Sequence, residues 1–390
     1  MNQQPQQSNS PALTIVDAQV VSFAGTSLEA LHAAVLAGMS GATLQTSSVY
    51  AVGDEYAEAS PVLAATMTLQ GTTRREILLE LIYYALSPLM ARTQQGVDDT
   101  PLVSILLPMQ EVPYVRAQAI DFEAMKRDLC AAIPELDPDK LKLVPHHTGA
   151  IAELIRLQQQ LVEGKAKQAI LCGADSLING LTYQMMAEAE TLATKNKTDG
   201  IVPGEGAAAL LFQQPGFEQA PNKPPLANLH AMANVEEPNA GKASQLPVTG
   251  AAEALRLSSR AAPAWLNETP LILTGGAQGV SDDLEWHQLE RLLWSDTLDE
   301  QQRIAMTLGE VDAPVPKARP RPQQLNLASV MGEVGAAALP VQLAVACEHF
   351  HYQASMARYG FAKARPLFVL ENGDYPIRAA ICLQPPEIQA

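Results

Sequence analysis

A chain of 390 residues exceeds what one hydrophobic core usually serves, so two halves of similar size are expected. Hydrophobic residues at 47% and charged residues at 17% fit a globular protein, and the formal net charge of -16 argues against nucleic-acid or anionic-membrane binding. The four cysteines, Cys130, Cys172, Cys347 and Cys382, lie far apart without a CxxC or Cys/His ligand pattern, which argues against structural zinc and fits buried thiols in a reducing cytoplasm.

The N-terminal "MNQQPQQSNSP" is polar and Pro-bearing, so residues 1–11 read as a frayed tail rather than a signal peptide. No run reaches the roughly 18 apolar residues that a membrane span needs. From Ala12, "LTIVDAQVVSFAG" is strand-like, and "SLEALHAAVLAGMSG" is a helix stopped by Gly. "TRREILLELIYYALSPLMAR" is a longer helix whose wide apolar face implies burial. "PLVSILLP" has the continuous apolar character of a parallel strand covered on both faces. The stretch "VPHHTGAIAELIRLQQQLVEGKAKQAILCGADSL" reads as a tight turn, an amphipathic helix after Gly149, and a buried strand from Gln168 to Ser176. "GAAALLFQQP", Gly206 to Pro215, closes a first half over residues 12–215.

Residues 216–226 are rich in Pro and polar groups and read as a linker. In residues 227–390 the pattern recurs in the same order. "PLILTGG" parallels "PLVSILLP", and "VGAAALPVQLAVACEHF" parallels the central helix. "PLFVLENGD" parallels "QAILCGADS", and "IRAAICLQPP" parallels "GAAALLFQQP". The expectation is an internal duplication, two α/β halves of one plan.

The block "DGIVPGEGAAALLF", Asp199 to Phe212, then resembles the D-G-F-V-P-G-E-G-A-G-A-L-V-L signature of the β-ketoacyl synthase branch of the thiolase superfamily. "CGADS" stands where that family has a strand ending in Gly-Gly, and similarity extends from about Leu13 to Leu383. The resemblance implies an αβαβα thiolase fold of five layers, built from two similar βαβαβαββ halves. It also implies a dimer and acyl thioester substrates, often on an acyl carrier protein. In such a dimer a strand beside the nucleophile turn pairs across the axis; "KLKLV" is the corresponding short edge strand, whose exposed N–H groups a dimer would cover. Within the signature, Glu205 in its Gly-rich loop is expected to accept backbone hydrogen bonds, a structural role.

The family's reaction uses a Cys nucleophile at a helix N-terminus, two further His (or His and Asn), and oxyanion-hole N–H groups. Counting back from Gly173 through Gly164 puts the nucleophile position at His147, within one residue, so His146, His147 and Thr148 are the candidates. An acyl-imidazole at His147 would hydrolyse readily. A hydroxyl at Thr148 would need activation by a neighbour that a turn seldom aims at it. The first family His, in H-G-T-G-T, corresponds to Gly275 or Gly276 in "ILTGGAQGVSDDLEW". His287, downstream on an amphipathic segment, reads as a helix-surface or packed residue. The second family His, in G-H-x-x-G-A-A-G, corresponds to Glu333 in "VMGEVGAAALP", a carboxylate suited to a helix N-terminus but unable to donate unless protonated. The glycine loop G-F-G-G corresponds to "ENGDYPIRAA", where Pro376 lacks an N–H and Asp374 would oppose an oxyanion.

These changes point to a scaffold that keeps the fold and has lost condensing chemistry, with no cofactor and no metal. Three functions are compatible. The first is a cytoplasmic, non-enzymatic adaptor or chaperone. Here "CGADSLINGLTYQMMAEAETLATKNKTDGIVPGEGAAA" with "GEVGAAALPVQLA" resembles thiolase-like proteins encoded beside type VI secretion effectors, implying an effector or loading protein as partner. The second is a chain-length-factor-like subunit paired with a ketosynthase. The third is a hydrolase or decarboxylase of acyl thioesters using His147, Thr148 or Glu333. Partners would accordingly be a second copy, a ketosynthase-like subunit, an effector or loading protein, or acyl carrier protein, and neither nucleic acid nor membrane. The basic, Pro-rich "DAPVPKARPRPQQ", with Lys317, Arg319 and Arg321, reads first as a solvated loop and second as a docking surface.

Overall fold

The computed structural model describes residues 12–53, 56–93, 100–108, 120–145, 150–215, 217, 225–239, 249–260, 264, 270–275, 280–295, 300–309, 321–360, 365–371 and 377–386. The first half contributes β1 (Leu13–Val21), α1 (Leu28–Ala37), a hairpin of β2 (Thr43–Tyr50) and β3 (Ser60–Ala64), α2 (Arg74–Thr93), β4 (Leu102–Leu107), α3 (Phe122–Ala132), β5 (Leu141–Pro145), α4 (Ala150–Val162), β6 (Gln168–Ser176), α5 (Gly180–Glu188) and β7 (Glu205–Gln213). The second contributes β8 (Ala227–Glu236), α6 (Gly250–Ser258), β9 (Leu271–Thr274), α7 (Val280–Trp294), α8 (Glu300–Thr307), β10 (Gln323–Asn326), α9 (Ala328–Met331), α10 (Ala338–Ala357), β11 (Leu367–Glu371) and β12 (Ile377–Gln384).

The strands run β10-β9-β11-β12-β8-β1-β7-β6-β4-β5 in one hydrogen-bonded series. Counting the five main strands of each half in chain order, both halves have the arrangement 3-2-4-5-1. In each half the second strand pairs in parallel with the third and fourth, and the fifth runs antiparallel between the fourth and first. The halves meet through their first strands, where Leu13–Ile15 pair antiparallel with residues 227–229. "PLVSILLP" and "PLILTGG" are the two second strands, "QAILCGADS" and "PLFVLENGD" the two fourth, and the proline-stopped pair the two fifth. The duplication read from the sequence is therefore a duplication of topology. β5 lies at one end of the series, the edge position expected of "KLKLV".

Strand parity explains the layering. Along β6, Ala169 and Leu171 join the central core while Ile170, Cys172 and Ala174 join an outer core with α2 and α3. Along β11, Leu367 and Val369 face the centre while Phe368 and Leu370 face an outer core with α6 and α7. Side chains alternate faces with period two, so strands apolar at every position require helices on both sides. The centre holds α4 and α10, and Leu339 through Cys347 of α10 is buried on every side. Five layers result, helix–sheet–helix–sheet–helix. No described helix is long and apolar enough to cross a membrane.

Several elements are not announced by hydrophobic patterning. β2, "TLQTSSVY", is largely exposed and polar. α5 packs with the β2–β3 hairpin around Tyr183 and Leu192 in a small satellite core.

Candidate functional site

The fourth strands end beside the starts of the central helices. α4 begins at Ala150, and its first N–H groups carry the positive end of the helix dipole. The last residue of β11, Glu371, turns its carboxylate onto them: Oε1 accepts from the Ala150 N–H at 3.2 Å and Oε2 from the Ile151 N–H at 3.3 Å. Parity sends it there, because Leu367 and Val369 of the same strand face the central layer.

The 3-10 turn Gly335–Ala337 that leads into α10 is held in a similar way from the other half. Asp175 on β6 is buried; its Oδ2 accepts from the Ala336 N–H at 3.1 Å and its Oδ1 from the Ser176 N–H at 2.8 Å. Arg74 of α2 lies 4.0 Å from Oδ1. Gly335 fits against this carboxylate with φ of 46°, and a Cβ there would sit 2.2 Å from Oδ2. Each central helix thus has its N-terminus held by an acid from the fourth strand of the opposite half.

Glu333 precedes α10 and is half-buried; its Oε1 accepts from the Gly335 N–H at 3.0 Å. Its backbone is tied to the signature block, donating to the Val202 carbonyl at 2.8 Å and accepting from the Gly204 N–H at 2.8 Å. Glu205 in that block is buried and accepts from the Met67 N–H at 2.6 Å and the Ser176 hydroxyl at 2.9 Å. Burial raises the Glu205 pKa, and these two donors oppose the rise. The hydrogen bonds are those expected of a carboxylate that fixes a loop.

At Gly275, one of the two glycines matched to the first family His, a Cβ would lie 2.6 Å from Gln342 Nε2. The Gln342 amide fills this space and donates to the Leu370 carbonyl at 3.2 Å. His146, His147, Thr148 and Gly276 lie outside the described residues, as do Asp374, Tyr375 and Pro376. Glu371, from the same stretch of sequence as Asp374, reaches the start of α4.

None of the four thiols stands at either helix start. Cys172 and Cys382 lie on the outer faces of β6 and β12, Cys347 lies in the middle of α10, and Cys130 lies on α3. Burial pushes Cys172 up to about 12 and raises Cys130, Cys347 and Cys382 as well, so all four stay protonated near neutrality. One histidine pair is buried: His32 Nε2 of α1 and His349 Nδ1 of α10 are 3.1 Å apart. His349 is eleven residues beyond Ala338, about 16 Å along the helix axis, so this pair is remote from the α10 start. Among the described residues no group of three or more His, Cys, Asp or Glu side chains has metal-holding geometry. The carboxylates of Glu371, Glu333 and Asp175 meet the N–H groups of Ala150, Ile151, Gly335 and Ala336, an arrangement that fastens helix ends.

No family model matches the sequence, and no curated protein sequence matches it. Solved structures do. A β-ketoacyl synthase from Burkholderia phymatum STM815 superposes with a TM-score of 0.65 at 14% identity, over 96% of this chain and 100% of that one. The ishigamide ketosynthase/chain length factor gives 0.61 at 16% identity, over 96% and 99%. A type II polyketide ketosynthase solved with its acyl carrier protein gives 0.64 at 14%, over 96% and 100%. Likeness at this level of identity speaks for architecture, and the architecture is the thiolase-type fold of the ketosynthases.

Proposed function

We propose that the protein is a catalytically silent, β-ketoacyl synthase-like scaffold that acts as a non-enzymatic adaptor, chaperone or partner subunit, with type VI secretion effector handling as its setting. The observation that carries the proposal is the Glu371 carboxylate on the Ala150 and Ile151 N–H groups. In a condensing enzyme the start of this helix favours a thiolate and a developing oxyanion. Here an internal anion sits on the first described N–H groups of the helix, and a second negative charge close to it is disfavoured. Gln342 in the space of a side chain at Gly275, and four protonated thiols elsewhere, support the same reading.

Two measurements test it. Incubation with acyl thioesters of several chain lengths, followed by intact mass and product analysis, is expected to give neither adduct nor hydrolysis. Turnover, or an acyl adduct on His147 or Thr148, would overturn silence. Affinity capture of the native protein is expected to recover an effector or loading protein; acyl carrier protein as the sole partner would argue against the adaptor role. The solved ketosynthase/chain length factor favours one second reading, an inactive subunit of a heterodimer. Co-expression with an active ketosynthase decides it, since that reading requires a stable heterodimer.

A further inference from the structure

Away from the helix starts, the outer layer of the second half contains a cavity of about 260 Å³. It is lined by His287, Glu290, Arg291, Trp294 and Ser295, near the end of α7, and by Arg321, just ahead of β10. Trp294 is 2% exposed and anchors the helix in the outer core. Among the described residues Glu290 is the only acid in the lining. Its Oε2 lies 3.5 Å from His287 Nδ1 and 4.0 Å from Arg321 Nη1, so that charge is already matched. The Arg291 guanidinium and the Ser295 hydroxyl have no partner among the described residues. Among the described residues the lining sets two guanidiniums against one carboxylate, on a chain whose net charge is -16.

We propose that this cavity is a carboxylate-binding site that receives an acidic side chain of a partner protein. The unpaired fork of Arg291 offers parallel N–H donors matched to a planar carboxylate, with the Ser295 hydroxyl as a further donor. Arg321 then stands between the incoming acid and Glu290 and screens their repulsion. The volume is below the roughly 300–1,000 Å³ of pockets that enclose a drug-sized molecule, so it suits one side chain of a larger ligand. It also places one residue of the basic, Pro-rich stretch at a binding surface. Failure of this site would leave the case for catalytic silence untouched, because no residue is shared.

The full-length protein titrated calorimetrically with an N-acetylated, C-amidated tetraglutamate peptide is expected to show saturable binding that weakens with added salt, and none with tetraglutamine. Arg291→Gln and Arg321→Gln, both at surface positions that leave the core intact, are each expected to weaken it about fivefold. Inorganic phosphate in a parallel titration separates the two oxyanion chemistries. Phosphate binding tighter than tetraglutamate, affinity unchanged in both arginine variants, or no saturation by about 10 mM peptide would each overturn the proposal.

Discussion

Acidification should loosen the protein through the buried His32–His349 pair. The hydrogen bonds fix both tautomers. The Arg365 N–H donates to Gln353 Oε1 at 3.2 Å, which leaves the Gln353 amide nitrogen to donate to His349 Nε2 at 2.9 Å. His349 therefore carries its proton on Nδ1 and donates to His32 Nε2 at 3.1 Å. A second proton on either ring places N–H against N–H. Burial holds both imidazoles near a pKa of about 4, and at His349 the charge of His32 disfavours protonation further. Because the folded values are depressed below the usual 6.5, stability is full above that pH and is lost as pH falls toward 4. At pH 5 an unfolded imidazole has gained about 2 kcal/mol from protonation that the folded one forgoes, or about 4 kcal/mol for the pair. Glu29, Glu348 and His351 are ionisable neighbours on the same two helices, so the comparison must be internal. Urea unfolding at pH 7.5 and pH 5.0 should show a drop about 4 kcal/mol smaller in the His32→Gln/His349→Gln variant than in the wild type. An equal drop in both would refute the reasoning.

Three further outcomes follow from the helix starts and the thiols. Glu371→Ala should lower unfolding stability by about 2 kcal/mol, read by chemical denaturation, and Glu371→Gln by less, since its amide keeps one acceptor. Gly275→His, which puts the motif's residue type at one of the two candidate glycines, should lower the melting temperature by several degrees because its Cβ meets Gln342, and should restore no thioester turnover. In the folded protein at pH 7.5 a thiol reagent should titrate at most Cys130, whereas all four cysteines should react in denaturant.

Much of the architecture is legible in the sequence because strands covered on both faces leave continuous apolar runs. β6 begins and ends where "QAILCGADS" does, and the four repeated segments fall on topologically equivalent strands and helices. The β2–β3 hairpin and α5 are not legible, since an exposed strand such as "TLQTSSVY" buries too little apolar surface to leave a pattern. For the site the sequence offers expected replacements, at Gly275 or Gly276 and at Glu333, but none of the contacts. Glu371 closes an apolar run and reads as the start of a loop; its meeting with α4 joins residues 220 apart. Parity along "LFVLE" is the signal that would have found it, because every second residue there faces the central layer. His32 and His349, 317 residues apart, leave no such local trace.

The burial of α10 has a consequence for how the chain can be dissected. This helix belongs to the second half yet packs on β1, β6 and β7 of the first, while α4 packs in return on β8. Expressed alone, either fragment would present a surface made to receive the other's helix to water or to other chains. Truncations at the linker should give insoluble material rather than separable modules, and partner mapping is better done with point variants of the intact polypeptide.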